Sequence, residues 1–260
     1  MRVRLVAMAL ALGVVITAQP CHAKDTPTEG RTWWYASATG ILGKHWGYTV
    51  MPGMRHEFSD SAGDSGGVVM YELFTGPVFI TKLGPVSFKL PLWYYYMGFP
   101  IKEKDDYFSS HNLELVPIFS YGRGNWEFLS RTIFHNKLYA DNSVFTTDSQ
   151  RQGYSLLIRQ MLRVGYKVAP KLTVHVADEL FVGLVEDSET SDLAKGEPFF
   201  EKGGFSMNRV YVGAGYGIGG GSSVIPQYIL ETHHDPDNGS ELTKVRHYLF
   251  VTLKFATQIF

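Results

Sequence analysis

Thiol chemistry is nearly absent from this chain of 260 residues: its single cysteine is Cys21. That position falls inside what reads as a removable leader. Arg2 and Arg4 form a short basic start, residues 5–18 form an apolar stretch too short to span a bilayer, and Cys21-His22-Ala23 offers small residues for a signal peptidase. Cleavage is expected after Ala23, leaving 24–260 as the mature domain. A lipoprotein reading would modify Cys21, but Ala18-Gln19-Pro20 is a poor lipobox. A mature chain without thiols excludes a disulfide scaffold, thiolate catalysis and thiolate metal sites. Net charge is also lacking, at −1, so nothing points to nucleic acid. No apolar run beyond the leader approaches the roughly 20 residues of a membrane helix. Helical periodicity is scarce throughout.

What the chain does have is aromatic residues, 14% of the total, and alternation with a period of two. Between 154 and 168, Tyr154, Leu156, Ile158, Leu162, Val164, Tyr166 and Val168 alternate with a set that includes Ser155, Arg159, Arg163 and Lys167. A strand sends these sets to opposite faces, one apolar and one basic. Segments 126–138, 210–218 and 249–255 split in the same way. Weaker versions cover 46–58, 69–81, 86–99, 113–121, 172–184 and 224–233, and 33–42 is a further candidate.

The connections alternate too. Those at 83–84, 121–125, 169–171 and 219–222 are short, whereas 59–67, 101–111, 139–152, 186–203 and 234–243 are long and polar. Short periplasmic turns facing long extracellular loops are the mark of an outer-membrane barrel, and a soluble sandwich has no reason for them. The expected fold is all-β: a closed antiparallel transmembrane barrel of about ten to twelve strands. Counting back from a periplasmic C-terminus makes 46–58 rise from the periplasm. This leaves either ten strands with 33–42 peripheral, or twelve with one strand unrecognised.

From 153 onward the chain resembles a family of bacterial outer-membrane proteins known as domain of unknown function 2490. The likeness rests on Ile158-Arg159, on Asp178-Glu179-Leu180-Phe181, and on the run Asn208-Arg209-Val210-Tyr211-Val212-Gly213-Ala214-Gly215-Tyr216. Leu129-Ser130-Arg131 fits more loosely, and the first ninety residues fit only in strand rhythm. The resemblance implies a barrel of this size in the outer membrane and no known activity. Phe260 resembles a barrel-assembly signal, although it is out of phase with 249–255.

Sorting residues by face puts many charges on the side away from lipid, because Arg or Lys facing lipid near the midplane costs roughly 2–4 kcal/mol. The expected lumen network comprises Arg55, Glu57, Glu72, Lys89, Glu114, Glu127, Arg131, Arg159, Arg163, Glu179, Arg209 and Glu231, with Arg246 on the same face. It could line a narrow, porin-like channel or form a salt-bridged plug; near-balance of charge favours the plug. Asp178 falls on the apolar face, and a β-bulge turning it inward is the expected remedy.

Other constellations carry less. An outer-membrane lipid-modifying hydrolase is the alternative function, with Ser130, Ser155, His135 and His175 as conceivable parts, but no nucleophile motif accompanies them. His233-His234-Asp235-Pro236-Asp237 reads as a solvated loop rather than a metal site. Gly219-Gly220-Gly221 is a tight turn without a phosphate-loop lysine. Trp33-Trp34 and Trp93-Tyr94-Tyr95-Tyr96 suit an interfacial girdle. The expectation is a non-enzymatic, monomeric barrel without cofactor or metal. Its partners are outer-membrane lipids, lipopolysaccharide and, during biogenesis, the barrel-assembly machinery.

Overall fold

The computed structural model describes residues 26–59, 65–101, 106–141, 154–186, 203–235, 237 and 241–258. The leader (1–23), Cys21 and Phe260 lie outside them. The strands are β1 (Thr28–Leu42), β2 (Trp46–Ser59), β3 (Ser65–Leu83), β4 (Val86–Ile101), β5 (Asp106–Leu115), β6 (Ile118–Arg123), β7 (Trp126–Asp141), β8 (Ser155–Ala169), β9 (Leu172–Val185), β10 (Gly204–Gly219), β11 (Ser222–His234) and β12 (Leu242–Gln258). Consecutive strands pair with each other except β5 with β6, and β1 pairs with β12, so the sheet closes on itself.

β5 and β6 are two halves of one stave. Both pair with β4 on one side and β7 on the other. Val116-Pro117 interrupts them because proline has no N–H for the ladder. The carbonyl of Pro91 still receives Val116 N at 3.0 Å and that of Pro117 receives Thr132 N at 3.1 Å, so the pleat continues in phase. The barrel therefore has eleven staves, within the expected range of about ten to twelve, and matches neither of the two counts that parity alone allowed.

The odd number has a geometric consequence. β1 runs parallel to β12, from Thr28↔Val245 to Ile41↔Gln258, while all other pairings are antiparallel. Segment 33–42 is thus a full member of the wall, not a peripheral strand. Its start lies at the same end as the start of β12.

The two ends differ as the sequence suggests. The strand ends joined through 43–45, 84–85, 124–125, 170–171 and 220–221 lie at one end, and those that flank the five long connections lie at the other. The strands extend further into the long connections than alternation indicated: β5 begins at Asp106 and β7 reaches Asp141. Gly84 and Gly124, both with φ of 61°, allow the tight reversals at the short end.

Alternation governs the wall. Along β8, Ser155, Leu157, Arg159 and Met161 are buried inside, whereas Leu162 is 61% exposed on the outside. Outward aromatics collect at the short-turn end: Trp46 packs on Phe79, Phe88 on Phe119 and Trp126 on Tyr166. Inside, a cluster built from Trp33, Tyr35, Phe74, Tyr95, Phe181, Tyr248 and Phe250 fills space between the charges. The Tyr35 ring lies against Gly53, where a Cβ would come within 2.0 Å of it. No described helix is long and apolar enough to cross a membrane.

Candidate functional site

The inward positions of adjacent strands lie opposite one another, so their charges meet rung by rung. One rung passes through Glu179↔Arg209, Arg209↔Glu231, Glu231↔Arg246 and Arg246↔Glu29, alternating in sign around almost half the wall. Arg209 Nε donates to Glu231, Arg246 Nε to Glu29 at 2.6 Å, and Arg246 Nη1 to Glu231 at 3.3 Å. Arg31 carries the chain of pairs onward, to Glu29 at 2.9 Å and Glu57 at 3.3 Å. In the other direction, Glu179 receives Arg131 at 2.8 Å and Arg159 at 3.1 Å. Glu114 takes His135 Nδ1 at 2.8 Å.

Arg55 and Glu72 form a separate pair across the middle. Nε and Nη2 of Arg55 donate to the two carboxylate oxygens at 3.2 and 3.0 Å, a forked contact.

Ion pairs removed from water need further hydrogen bonds to offset desolvation. Here the aromatic residues supply them. Trp33 Nε1 donates to Glu72 at 2.7 Å, and the Tyr95 hydroxyl donates to the same carboxylate. Tyr211 donates to Glu179 and Tyr248 to Glu231. The rings also take up the cations: the Arg55 guanidinium lies 3.9 Å from the Trp33 ring, and Arg159 and Arg209 lie 4.8 and 4.7 Å from that of Phe181. Arg55, Arg209 and Arg246 are each 1% exposed, and Glu114, Glu179 and Glu231 not at all.

The structure brings Arg55, Glu57, Glu72, Glu114, Arg131, Arg159, Glu179, Arg209 and Glu231 together in this manner. Lys89, Glu127 and Arg163 stand apart, at the short-turn end of the lumen. Glu127 pairs with Lys167 at 3.2 Å, half exposed. Arg163 faces inward but, among the described residues, has no carboxylate within ion-pair distance, contrary to the expected cross-strand pairing; its register partners Leu129 and Ala177 are uncharged.

Three further expectations are corrected. Asp178 keeps its outward position, because the ladder passes Leu162↔Asp178 and Val210↔Asp178 without a bulge; its carboxylate accepts Asn208 Nδ2 at 2.7 Å. His233 and His234 are no loop residues: they are the last two of β11, and His233 is buried, bonded through Nε2 to Glu231 at 2.6 Å. Trp33 and Tyr95 belong to the interior, not to a girdle, since only alternate members of each aromatic run face outward.

Glu29 and Arg31 escape a reading of the sequence because alternation marks a strand only from Trp33, whereas β1 starts at Thr28. The aromatic donors escape it because a run of aromatics reads as a surface feature. The detectable signal was their parity with Arg55 and Glu72 on the inward face. The described residues contain no cluster of His, Cys, Asp or Glu able to hold a metal ion.

No protein-family model matches the chain, and no curated protein matches it. The likeness to the domain-of-unknown-function family thus rests on the residue runs quoted above.

Proposed function

We propose that this chain is a bacterial outer-membrane barrel, exported by a cleaved leader, whose lumen is closed by its own ion pairs. The short turns face the periplasm and the long connections the cell exterior. Its surroundings are outer-membrane lipid and lipopolysaccharide, it reaches them through the barrel-assembly machinery, and it works as a monomer related to the domain-of-unknown-function 2490 proteins. Supporting the location are the exposed apolar outer face, the absence of a described helix to cover it, and the aromatic residues at one rim.

The observation that carries the closed reading is the burial of the network. A hydrated channel leaves its wall charges wet, whereas these guanidinium and carboxylate groups are withdrawn from solvent on every side of the barrel. Purified protein in planar bilayers is expected to pass no steady current in 1 M KCl. Stepwise openings of uniform conductance would overturn the plug in favour of a pore.

A lipid hydrolase is disfavoured. Ser130 and His135 belong to one strand at odd spacing and so face opposite sides of the wall. Ser155 and His135 share the inner face but are fully buried, out of reach of lipid.

The lipid-facing reading has its own test in Asp178. A carboxylate at mid-strand on an apolar wall is a liability relieved only by Asn208, so Asp178→Leu is expected to stabilise the inserted barrel by about 1 kcal/mol. Urea unfolding in vesicles measures this. A marked loss of stability would mean that the outer face meets a polar partner instead of lipid.

A further inference from the structure

Below the plug, toward the short turns, the lumen opens into a cavity of about 490 Å³. The charge pattern there breaks with the rest of the interior. Lys254, Arg163 and Lys171 line the cavity, with Glu127 as its single carboxylate. The charged neighbours of Lys254 are Arg163, Lys89 and Arg131, all cations. Arg131 is already held by Glu179, and Glu127 by Lys167. Among the described residues, Arg163, Lys254, Lys89 and Lys171 have no carboxylate within ion-pair distance. Glu127 acts on Arg163 from beyond ion-pair distance, and the three lining cations outnumber it in a concavity walled mostly by glycine, serine and threonine. Among the described residues, every other guanidinium of the lumen meets a carboxylate, and cations are in excess at this end.

A second feature is independent of charge. Gly215 and Gly217 face the cavity, yet neither has a positive φ. A Cβ at Gly215 meets nothing nearer than Ile225 Cγ1 at 3.9 Å, and one at Gly217 nothing nearer than the Lys171 carbonyl oxygen at 3.9 Å. Neither backbone conformation nor crowding calls for glycine at these places. What glycine provides is room, whereas further along the same strand the inward positions Arg209 and Tyr211 are filled by large side chains.

We propose that this vestibule binds a small phosphate-bearing anion. Arg163 offers the planar fork that matches two phosphate oxygens, and Lys254 and Lys171 add point charges on the same lining, with Lys89 near Lys254. The volume exceeds what inorganic phosphate fills and falls within the range of small-molecule sites, roughly 300–1,000 Å³, which points to a phosphomonoester carrying a compact organic group. Two sources share this chemistry, a soluble metabolite and a phospholipid headgroup. Only the compartment, the periplasm, rests on the outer-membrane reading; binding itself does not.

The test uses the purified full barrel in an uncharged detergent. Inorganic phosphate and glycerol phosphate are titrated calorimetrically in one arm, and short-chain phosphatidic acid doped into the micelles in the other. Saturable binding is expected, weaker for inorganic phosphate than for a phosphomonoester and weakening as salt rises. Binding in the first arm identifies a soluble ligand; binding in the second alone identifies a headgroup. Arg163→Gln and Lys254→Gln should each weaken binding at least tenfold while leaving heat-modifiable migration on gels unchanged, since neither residue takes part in an ion pair. Gly215→Leu removes no charge but fills the cavity, and it should abolish binding. Failure of all three probes to saturate the wild-type protein overturns the proposal. So does binding that survives both charge substitutions, or that survives Gly215→Leu. None of these results bears on membrane location, which fractionation reports separately.

Discussion

Glu72→Ala should destabilise the barrel more than any other single change in the lumen, by roughly 3–5 kcal/mol. Among the described residues, Glu72 is the one carboxylate that meets Arg55, and Arg55 is 1% exposed beneath Trp33. Removing the carboxylate strands a guanidinium that cannot lose its proton and has no route to water. The reverse change is milder. After Arg55→Met, Glu72 keeps the Trp33 N–H and the Tyr95 hydroxyl. Other carboxylates have reserves: Glu231 keeps Arg246 when Arg209 is lost, and Glu179 keeps Arg131 when Arg159 is lost. Replacing both members of the central pair, as in Arg55→Met with Glu72→Leu, should recover most of the stability, because a buried ion pair contributes little beyond an apolar pair of similar volume. Urea unfolding of the two single variants and the double gives the coupling directly. Equal effects of the two single changes, or a double variant no better than Glu72→Ala, would show that Arg55 is hydrated. Arg163→Ala, in the open vestibule, is expected to change stability by about 1 kcal/mol or less.

The contrast between Arg159 and Arg163 also shows where the sequence stops being informative. Alternation along β8 assigns both to the interior, and both are there. Alternation says nothing of register, and register decides whether a carboxylate stands opposite. Arg209 lies level with Glu179 and Glu231, whereas Arg163 lies level with Leu129 and Ala177. Faces were legible because a period of two is local. Pairs were not, because they depend on where strands distant in sequence align. Asp178 illustrates the opposite error. The alternation was right, and invoking a bulge to avoid a polar residue outside overrode a correct signal; Asn208, on the next strand, already satisfied the carboxylate. The closure of the barrel was hidden for a different reason. Parity assumes that every pairing is antiparallel, and under that rule β1 is either outside the wall or accompanied by a further strand, whereas it pairs in parallel with β12.

The parallel seam makes the sharpest demand on topology. Ala36 stands beside Leu253 and Ala38 beside Phe255, all four on the outer face near the short-turn half of β1 and β12. Neighbouring strands run about 4.8 Å apart, within the range over which a disulfide can form. The mature chain has no cysteine of its own if the leader is removed after Ala23, so Ala36→Cys with Leu253→Cys is a clean reporter. Oxidation of the folded double variant should link the two termini almost completely, producing a covalent ring that keeps a compact mobility on boiling until a reductant is added. The control is Ala36→Cys with Leu249→Cys, four residues away along β12, which should stay reduced. In a ten-strand barrel closed by β2 against β12, β1 would not lie in the wall and neither pair would link. The seam also places the start of β1 beside the start of β12, at the long-connection end, while β12 finishes at the short-turn end. In the proposed orientation a protease site inserted just before Thr28 is therefore cut from outside intact cells, and one appended after Gln258 is protected. Cleavage of both from the same side would require an even number of staves, and the parallel pairing would have to be abandoned.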